Sequence, residues 1–126
     1  MEHTFFFDGD SKKIVWIIQT INSIVEQKRD HPENYLGKVT KLQSKYIALH
    51  VGVFWGIGRF IINNEDKIII KIDDESMFNH LSKNEISSDE FIKIRTQFIT
   101  QFINQRKLKI NYEFIEPEEN LACKLL

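Results

Sequence analysis

The chain has 126 residues, 42% of them hydrophobic, and its 17 Lys and Arg residues nearly balance its 18 Asp and Glu residues. This length suffices for one hydrophobic core, so we expect a single domain over residues 1–126. A net charge of −1 argues against electrostatic nucleic-acid binding, which would need a local basic patch. The single cysteine excludes an intramolecular disulfide, and no apolar run is long enough for a membrane span. These features favour a reducing, cytoplasmic environment.

The first thirty residues predict a strand followed by a long helix. Phe5-Phe6-Phe7 belongs to a strand from Thr4 to Phe7, and Asp8-Gly9-Asp10 is typical of a turn. Apolar residues at three- and four-residue spacing then predict an amphipathic helix over residues 12–28. These residues are Ile14, Ile17, Ile18, Ile21, Ile24 and Val25.

In the middle of the chain, apolar residues alternate with small or polar ones, which predicts an antiparallel meander over residues 45–73. The polar break Asn63–Asp66 suits a hairpin loop between strands at 60–62 and 67–72. Residues 42–53 also fit a helical stripe, so strand and helix both remain open there. The strand is favoured because Gly52, Gly56 and Gly58 would each weaken a helix by about 1 kcal/mol.

The remaining chain predicts a short helix over residues 75–81, a longer helix over residues 89–105, and a half-buried strand over residues 108–114. An apolar helical face near the terminus predicts that the tail packs against the rest of the domain rather than fraying. The predicted fold class is α+β, with a mostly antiparallel sheet of four to five strands and a central meander. Two long amphipathic helices, over residues 12–28 and 89–105, would cover one face of this sheet.

No catalytic motif stands out. Gly56-Ile57-Gly58 lacks the third glycine of a dinucleotide fingerprint, and position 61 is isoleucine. The acidic clusters Asp8-Gly9-Asp10 and Asp73-Asp74-Glu75 are interpreted as a turn and as a solvated strand end with Asp74 as a helix N-cap, rather than as metal sites. We therefore predict no metal and no cofactor.

His50 is the best single candidate for acid/base chemistry, because small neighbours on a ribbon would leave room above it. We nevertheless predict that His50 is not catalytic, since no residue at a telling spacing could orient its ring. The predicted ligand- or partner-binding residues are His50, Trp55, Phe5, Phe7 and Tyr112.

Basic residues gather at Lys38, Lys41 and Lys45, and again at Arg106, Lys107 and Lys109, near Tyr46 and Tyr112. A cationic groove with stacking aromatics would bind nucleic acid. Ordinary solvation of helix and strand ends is the preferred interpretation, so nucleic acid is not an expected partner.

The segments Phe102–Ile110 and Asn120–Leu126 resemble the end of the sterol carrier protein 2 family. In that family a helix runs into a strand and then into a final apolar helix that closes a lipid tunnel. The resemblance implies a carrier architecture, with an apolar ligand between sheet and helices.

The leading functional prediction is a small intracellular, non-catalytic binding or adaptor protein that acts through protein contacts. It would be a homodimer or would bind a protein partner, since the Phe5-Phe6-Phe7 strand and the Leu-rich tail need cover. The first alternative is a carrier of an apolar small molecule or lipid in a preformed hydrophobic pocket. The second is an enzyme that uses His50 or the acidic clusters.

Overall fold

The computed structural model describes residues 1–126 and contains five strands and three helices. The strands are β1 (Glu2–Gly9), β2 (Lys13–Thr20), β3 (Ser23–Asp30), β4 (Lys67–Ile72) and β5 (Lys109–Phe114). The helices are α1 (Lys41–Gly58), α2 (Glu75–Ser82) and α3 (Glu90–Arg106). Two short 3-10 helices, Pro117–Glu119 and Leu121–Leu125, end the chain. The predicted single-domain α+β class is confirmed.

The strands form one sheet in the order β3-β2-β1-β4-β5. β1, β2 and β3 pair antiparallel, whereas β4 pairs parallel to both β1 and β5. The sheet is therefore mixed rather than mostly antiparallel. β1 lies at its centre. Because β1 and β4 run parallel, their carboxyl ends lie side by side at the same end of the sheet.

The helix predicted over residues 12–28 is wrong, because this segment is the β2–β3 hairpin with a two-residue turn at Ile21-Asn22. Its apolar residues satisfy both periodicities. Trp16 and Ile18 face the main core, whereas Val15 and Ile17 face a second, smaller core. A strand buried on both faces is a continuous apolar run, which period counting cannot separate from a helix.

The predicted meander is also wrong, because residues 41–58 form α1. The glycines that favoured a strand serve close packing instead. A Cβ at Gly52 would lie 2.5 Å from the Phe5 ring, and one at Gly56 would lie 2.7 Å from Ile62. Tertiary packing thus overrides the helix propensity of these residues.

Residues 60–62 are not a strand, and the two neighbours of β4 are β1 and β5, so the predicted hairpin across Asn63–Asp66 is wrong. The predictions of β1, α2, α3 and β5 are confirmed, and Asp74 is the N-cap of α2. Of the two predicted covering helices, the one over residues 89–105 exists as α3.

The two faces of the sheet carry separate hydrophobic cores. The main core joins the sheet to α1, α2 and α3 and includes Phe5, Phe7 and Trp16. On the opposite face, Phe6 packs with Ala122 of the tail. The predicted docking of the tail is confirmed. No helix combines the length and apolar character needed to cross a membrane.

Candidate functional site

Three charged side chains meet at the carboxyl ends of β1 and β4. Asp8 is the second-last residue of β1, and Asp73 directly follows β4. Lys45, near the start of α1, places its Nζ 2.9 Å from Asp8 Oδ1 and 2.6 Å from Asp73 Oδ1. We call these three residues the acid–lysine site.

Close packing beside Lys45 brings α1 onto the end of β1. A Cβ at Gly9 would lie 2.3 Å from Ser44 Oγ and 2.9 Å from its carbonyl carbon, so only glycine fits this approach. His31 is buried and places its Nε2 2.8 Å from Ser44 Oγ and 3.1 Å from the Asp10 carbonyl oxygen. These contacts hold the first turn of α1 at the site.

Asn120 ties the tail to the same site. Its Nδ2 donates to the Phe7 carbonyl oxygen and to Asp73 Oδ2, both at 2.9 Å. Its Oδ1 accepts a hydrogen bond from the Ala122 N–H at 3.0 Å. Because these partners fix the amide orientation, Asn120 offers Asp73 a donor and has no free oxygen facing the carboxylate.

The three charged side chains are largely withdrawn from water, with relative exposures of 7% for Lys45, 4% for Asp8 and 7% for Asp73. Burial alone would lower the pKa of Lys45, but hydrogen bonds and attraction from Asp73 and Asp8 raise this pKa above its ordinary value of 10.5. Lys45 is therefore an ammonium ion at neutral pH. Two carboxylates share one ammonium, which gives the site a formal charge of −1.

The acid–lysine site opens on a recess of about 470 Å³. The recess is lined by Asp8, Lys41, Leu42, Lys45, Asp73, Asp74, Pro117 and Cys123. Lys41 is exposed, and α1 has no acidic residue in its first turn. Burial alone would raise the pKa of Asp10, but N–H donors and the charges of Lys13 and Lys41 lower this pKa below 3.8. One exposed lysine, Lys41, therefore lies at the outer edge of a negatively charged centre.

None of the five predicted binding residues lies in the acid–lysine site. Phe5 and Phe7 are core residues, with 0% and 2% exposure. Trp55 packs edge-on against Trp16 at 5.8 Å, and Tyr112 is half-buried on β5. Their role in binding stays a prediction.

His50 lies on α1 and faces α3. Its ring stacks on Phe98 at 5.5 Å, and its Nδ1 lies 2.9 Å from Arg95 Nη1 rather than near a carboxylate. Burial, and next the charge of Arg95, lower the pKa of His50 to about 4. His50 is therefore neutral at physiological pH.

The sequence patterns include all three residues of the acid–lysine site, but they do not connect them with one another or with Asn120. Asp8 and Asp73 belonged to separate acidic clusters, and Lys45 to a basic cluster. Asn120 received no functional role. The available signal was an acidic residue at the end of each of two strands, but its meaning depends on those strands being parallel neighbours.

No protein-family model and no curated protein matches the sequence. Solved structures do resemble it. RNase H1 from the halophilic archaeon Halobacterium salinarum NRC-1 matches with a TM-score of 0.80 and 15% identity, covering 100% of this chain and 94% of that chain. The N-terminal RNase H domain of a Mycobacterium tuberculosis protein matches with a TM-score of 0.77 and 16% identity, covering 98% and 89%.

A third similar structure is LC11-RNase H1 in complex with an RNA/DNA hybrid, with a TM-score of 0.71 and 14% identity, covering 98% of this chain and 91% of that chain. The fold of the present chain is therefore RNase H-like.

This similarity corrects the functional predictions. The prediction of a non-catalytic adaptor is wrong, because the chain has the fold of RNase H1 enzymes. The expectation against nucleic acid is wrong too, since a structure with this fold holds an RNA/DNA hybrid. The argument for a dimer also loses its basis, because β1 is a central strand and the tail covers Phe6.

The predicted hydrophobic pocket, and with it the apolar carrier, is wrong as well. This prediction conflicts with the RNase H-like fold, which the chain shares with RNase H1 enzymes. The recess between α2 and α3, of about 460 Å³, is polar, because only one of its nine lining residues is hydrophobic.

Proposed function

We propose that this protein acts on nucleic acid and that an RNA/DNA hybrid is the duplex it recognises. The observation that carries this proposal is the match, over 98% of the chain, to an RNase H1 structure that contains such a hybrid. The acid–lysine site lies at the carboxyl ends of adjacent parallel strands, where α/β sheets commonly bind their ligands.

Positive charges at the site offset part of the carboxylate charge that would otherwise repel a phosphate-bearing ligand. Two buried carboxylates alone would repel a phosphate, but the Lys45 ammonium cancels one of the two negative charges. Lys41 adds an exposed positive charge at the edge of the recess and offsets the carboxylate of Asp74, which also lines the recess. The partial positive charge at the α1 N-terminus has the same sign, and no acidic side chain of the first turn opposes it.

A local patch of this kind reconciles nucleic-acid binding with the net charge of −1. Lys12 lies in the turn after β1, Lys13 begins β2, and Lys38 precedes α1, so these lysines border the same end of the sheet. A cytoplasmic location belongs to the same proposal and is supported by the exposed free thiol of Cys123.

Fluorescence anisotropy with labelled duplexes of equal length tests the proposal. We expect the protein to bind an RNA/DNA hybrid more tightly than double-stranded DNA, with an affinity that falls as salt rises, because phosphate contacts release counterions. Absence of hybrid binding at low salt would contradict the proposal, as would an equal affinity for both duplexes.

A matched pair of charge reversals locates the binding surface. Lys41→Glu places a negative charge beside the acid–lysine site and should weaken hybrid binding by about ten-fold. Lys109→Glu makes the same change at an exposed position at the start of β5. This position lies at the amino ends of the parallel strands, opposite to the acid–lysine site, so the affinity should change by less than about two-fold. Equal losses in the two variants would place the duplex elsewhere.

A further inference from the structure

Many nucleases hydrolyse phosphodiesters with one or two divalent cations that carboxylates hold. The residues of this site do not fit such a cation. Asp8 and Asp73 supply two converging carboxylates, but the position between them is taken by the Lys45 ammonium, at 2.9 and 2.6 Å. No group of three or more His, Cys, Asp or Glu side chains suited to a metal occurs in the structure.

The bound ammonium leaves no space for a metal cation there. Mg²⁺ binds carboxylate oxygens at about 2.1 Å, so an ion shared by Asp8 and Asp73 would overlap the volume of Lys45 Nζ. The lysine cannot leave easily, because its side chain is 7% exposed and would abandon two buried carboxylates. Asn120 adds no ligand, since its Nδ2 faces Asp73 and its Oδ1 accepts from Ala122.

We infer that the Lys45 ammonium replaces a divalent cation between Asp8 and Asp73, and that the site meets a phosphate group of the nucleic acid without metal. The second half of this statement rests on the proposed function. An ammonium carries three N–H donors, and Asp8 and Asp73 accept two of them. The third remains for a phosphate oxygen in the recess that Lys45 lines.

Tethering explains why the ammonium outcompetes a free ion. Lys45 is part of α1, whose first turn is held against β1 by the Gly9–Ser44 approach and by His31. The site therefore receives its cation on folding, independently of the metal concentration in solution.

Thermal unfolding with and without Mn²⁺ tests the metal half and needs no nucleic acid. The wild-type protein should show no shift in melting temperature with Mn²⁺ or with EDTA, because it has no site to fill. Lys45→Gln keeps an unbranched polar side chain, one atom shorter, but removes its charge, so the freed carboxylates should bind Mn²⁺ and the melting temperature should rise by several degrees. Adding Asp8→Asn to that variant should abolish the rise.

Mn²⁺ binding by the wild-type protein that Asp8→Asn removes would overturn the inference. So would a folded Lys45→Gln variant that gains no Mn²⁺ binding. If that variant does not fold, nuclear magnetic resonance of the wild-type protein decides. Unbroadened Asn120 side-chain amide signals in the presence of Mn²⁺ support the inference, and broadened signals refute it.

The second part of the inference, contact with phosphate without a metal, has a separate measurement. Hybrid affinity of the wild-type protein should be the same in Mg²⁺ and in EDTA at matched ionic strength, and any hybrid hydrolysis should be equally insensitive. A requirement for Mg²⁺ in binding or hydrolysis would overturn the inference while leaving the proposed function intact. Loss of all hybrid binding would remove the proposed function but would not change the Mn²⁺ result.

Discussion

The two ends of the β1–β4 strand pair carry two different buried ionic clusters. At the amino end, Asp66 accepts hydrogen bonds from the Met1 amino group at 3.2 Å and from the Asn63 N–H at 2.8 Å, and its other contact is His3 Nε2 at 2.8 Å. At the carboxyl end, Asp8 and Asp73 share the single ammonium of Lys45. One carboxylate thus has three partners at the first end, whereas two carboxylates divide one cation at the second.

This difference separates a structural cluster from a functional one. The Met1 amino group balances the charge of Asp66, and the carboxylate has no charge left for an outside ligand. This cluster is therefore structural and joins the start of β1 to the start of β4. The acid–lysine site retains a negative charge and opens on a recess. Its Lys45 ammonium has one N–H that neither carboxylate accepts, and a buried charged group beside a recess marks a candidate ligand site.

The largest expected effect follows from removing the shared cation. Lys45→Met keeps the apolar stem but leaves two buried carboxylates without a partner, so it should lower the free energy of unfolding by about 3 to 5 kcal/mol. Urea denaturation at neutral pH measures this loss.

A second substitution tests the cause. Adding Asp73→Asn to Lys45→Met removes one of the stranded charges and should recover part of the lost stability. Strictly additive destabilisation in the double variant would mean that Lys45 acts through packing rather than charge.

Asp66→Asn should cost less, about 2 kcal/mol, because the amide still accepts some of the hydrogen bonds. Its pH dependence is distinctive. Burial alone would raise the pKa of Asp66, but hydrogen bonds from Asn63, His3 and the N-terminus lower this pKa below 3.8.

A lowered folded-state pKa means that Asp66 stabilises the protein above pH 3.8 and loses this contribution as the pH falls through its folded-state value. The variant lacks this contribution, so its stability should fall less steeply than that of the wild type on acidification. Acid titrations followed by circular dichroism compare the two, and parallel curves would contradict the structural role given to Asp66.

Asn120→Ala should have a smaller and more local effect. It removes donors to Phe7 and Asp73 and the acceptor for Ala122, with an expected cost of about 1 to 2 kcal/mol. Amide hydrogen exchange should rise mainly over residues 121–125. Unchanged exchange there would show that apolar contacts alone hold the tail.

His50 lies outside both clusters, and its titration should have the smallest effect on the stability of the protein. Nuclear magnetic resonance should find a titration midpoint near its pKa of about 4, and Arg95→Gln should raise it by removing a nearby positive charge. Because the unfolded chain takes up this proton near the ordinary pKa of 6.5, stability should fall as the pH drops from 6.5 towards 4. A midpoint near 6.5 would place His50 in solvent.

The fold could be predicted where local patterns agree with packing. α3 has one apolar stripe and β5 alternates regularly, so the sequence predicts both. The sequence predicts a helix where the β2–β3 hairpin lies and strands where α1 lies. The apolar residues on both faces of β2 also fit the spacing of a helix. Gly52 lowers the helix propensity of α1, but it makes room for the Phe5 ring.

The site could be predicted only in pieces. Asp8 and Asp73 stand out as acidic residues near strand ends, but their proximity depends on the parallel pairing of β1 with β4, which spans a long separation in sequence. Lys45 reaches both carboxylates from the first turns of α1, a segment for which the sequence favoured a strand. Long-range topology, rather than residue type, creates this site.

The most direct test of this account is the anomalous diffraction of wild-type crystals soaked in excess MnCl₂. We predict no manganese peak between Asp8 and Asp73, with Lys45 Nζ in hydrogen-bond contact with both carboxylates. A manganese peak on those two carboxylates, with the Lys45 side chain displaced, would contradict the central claim.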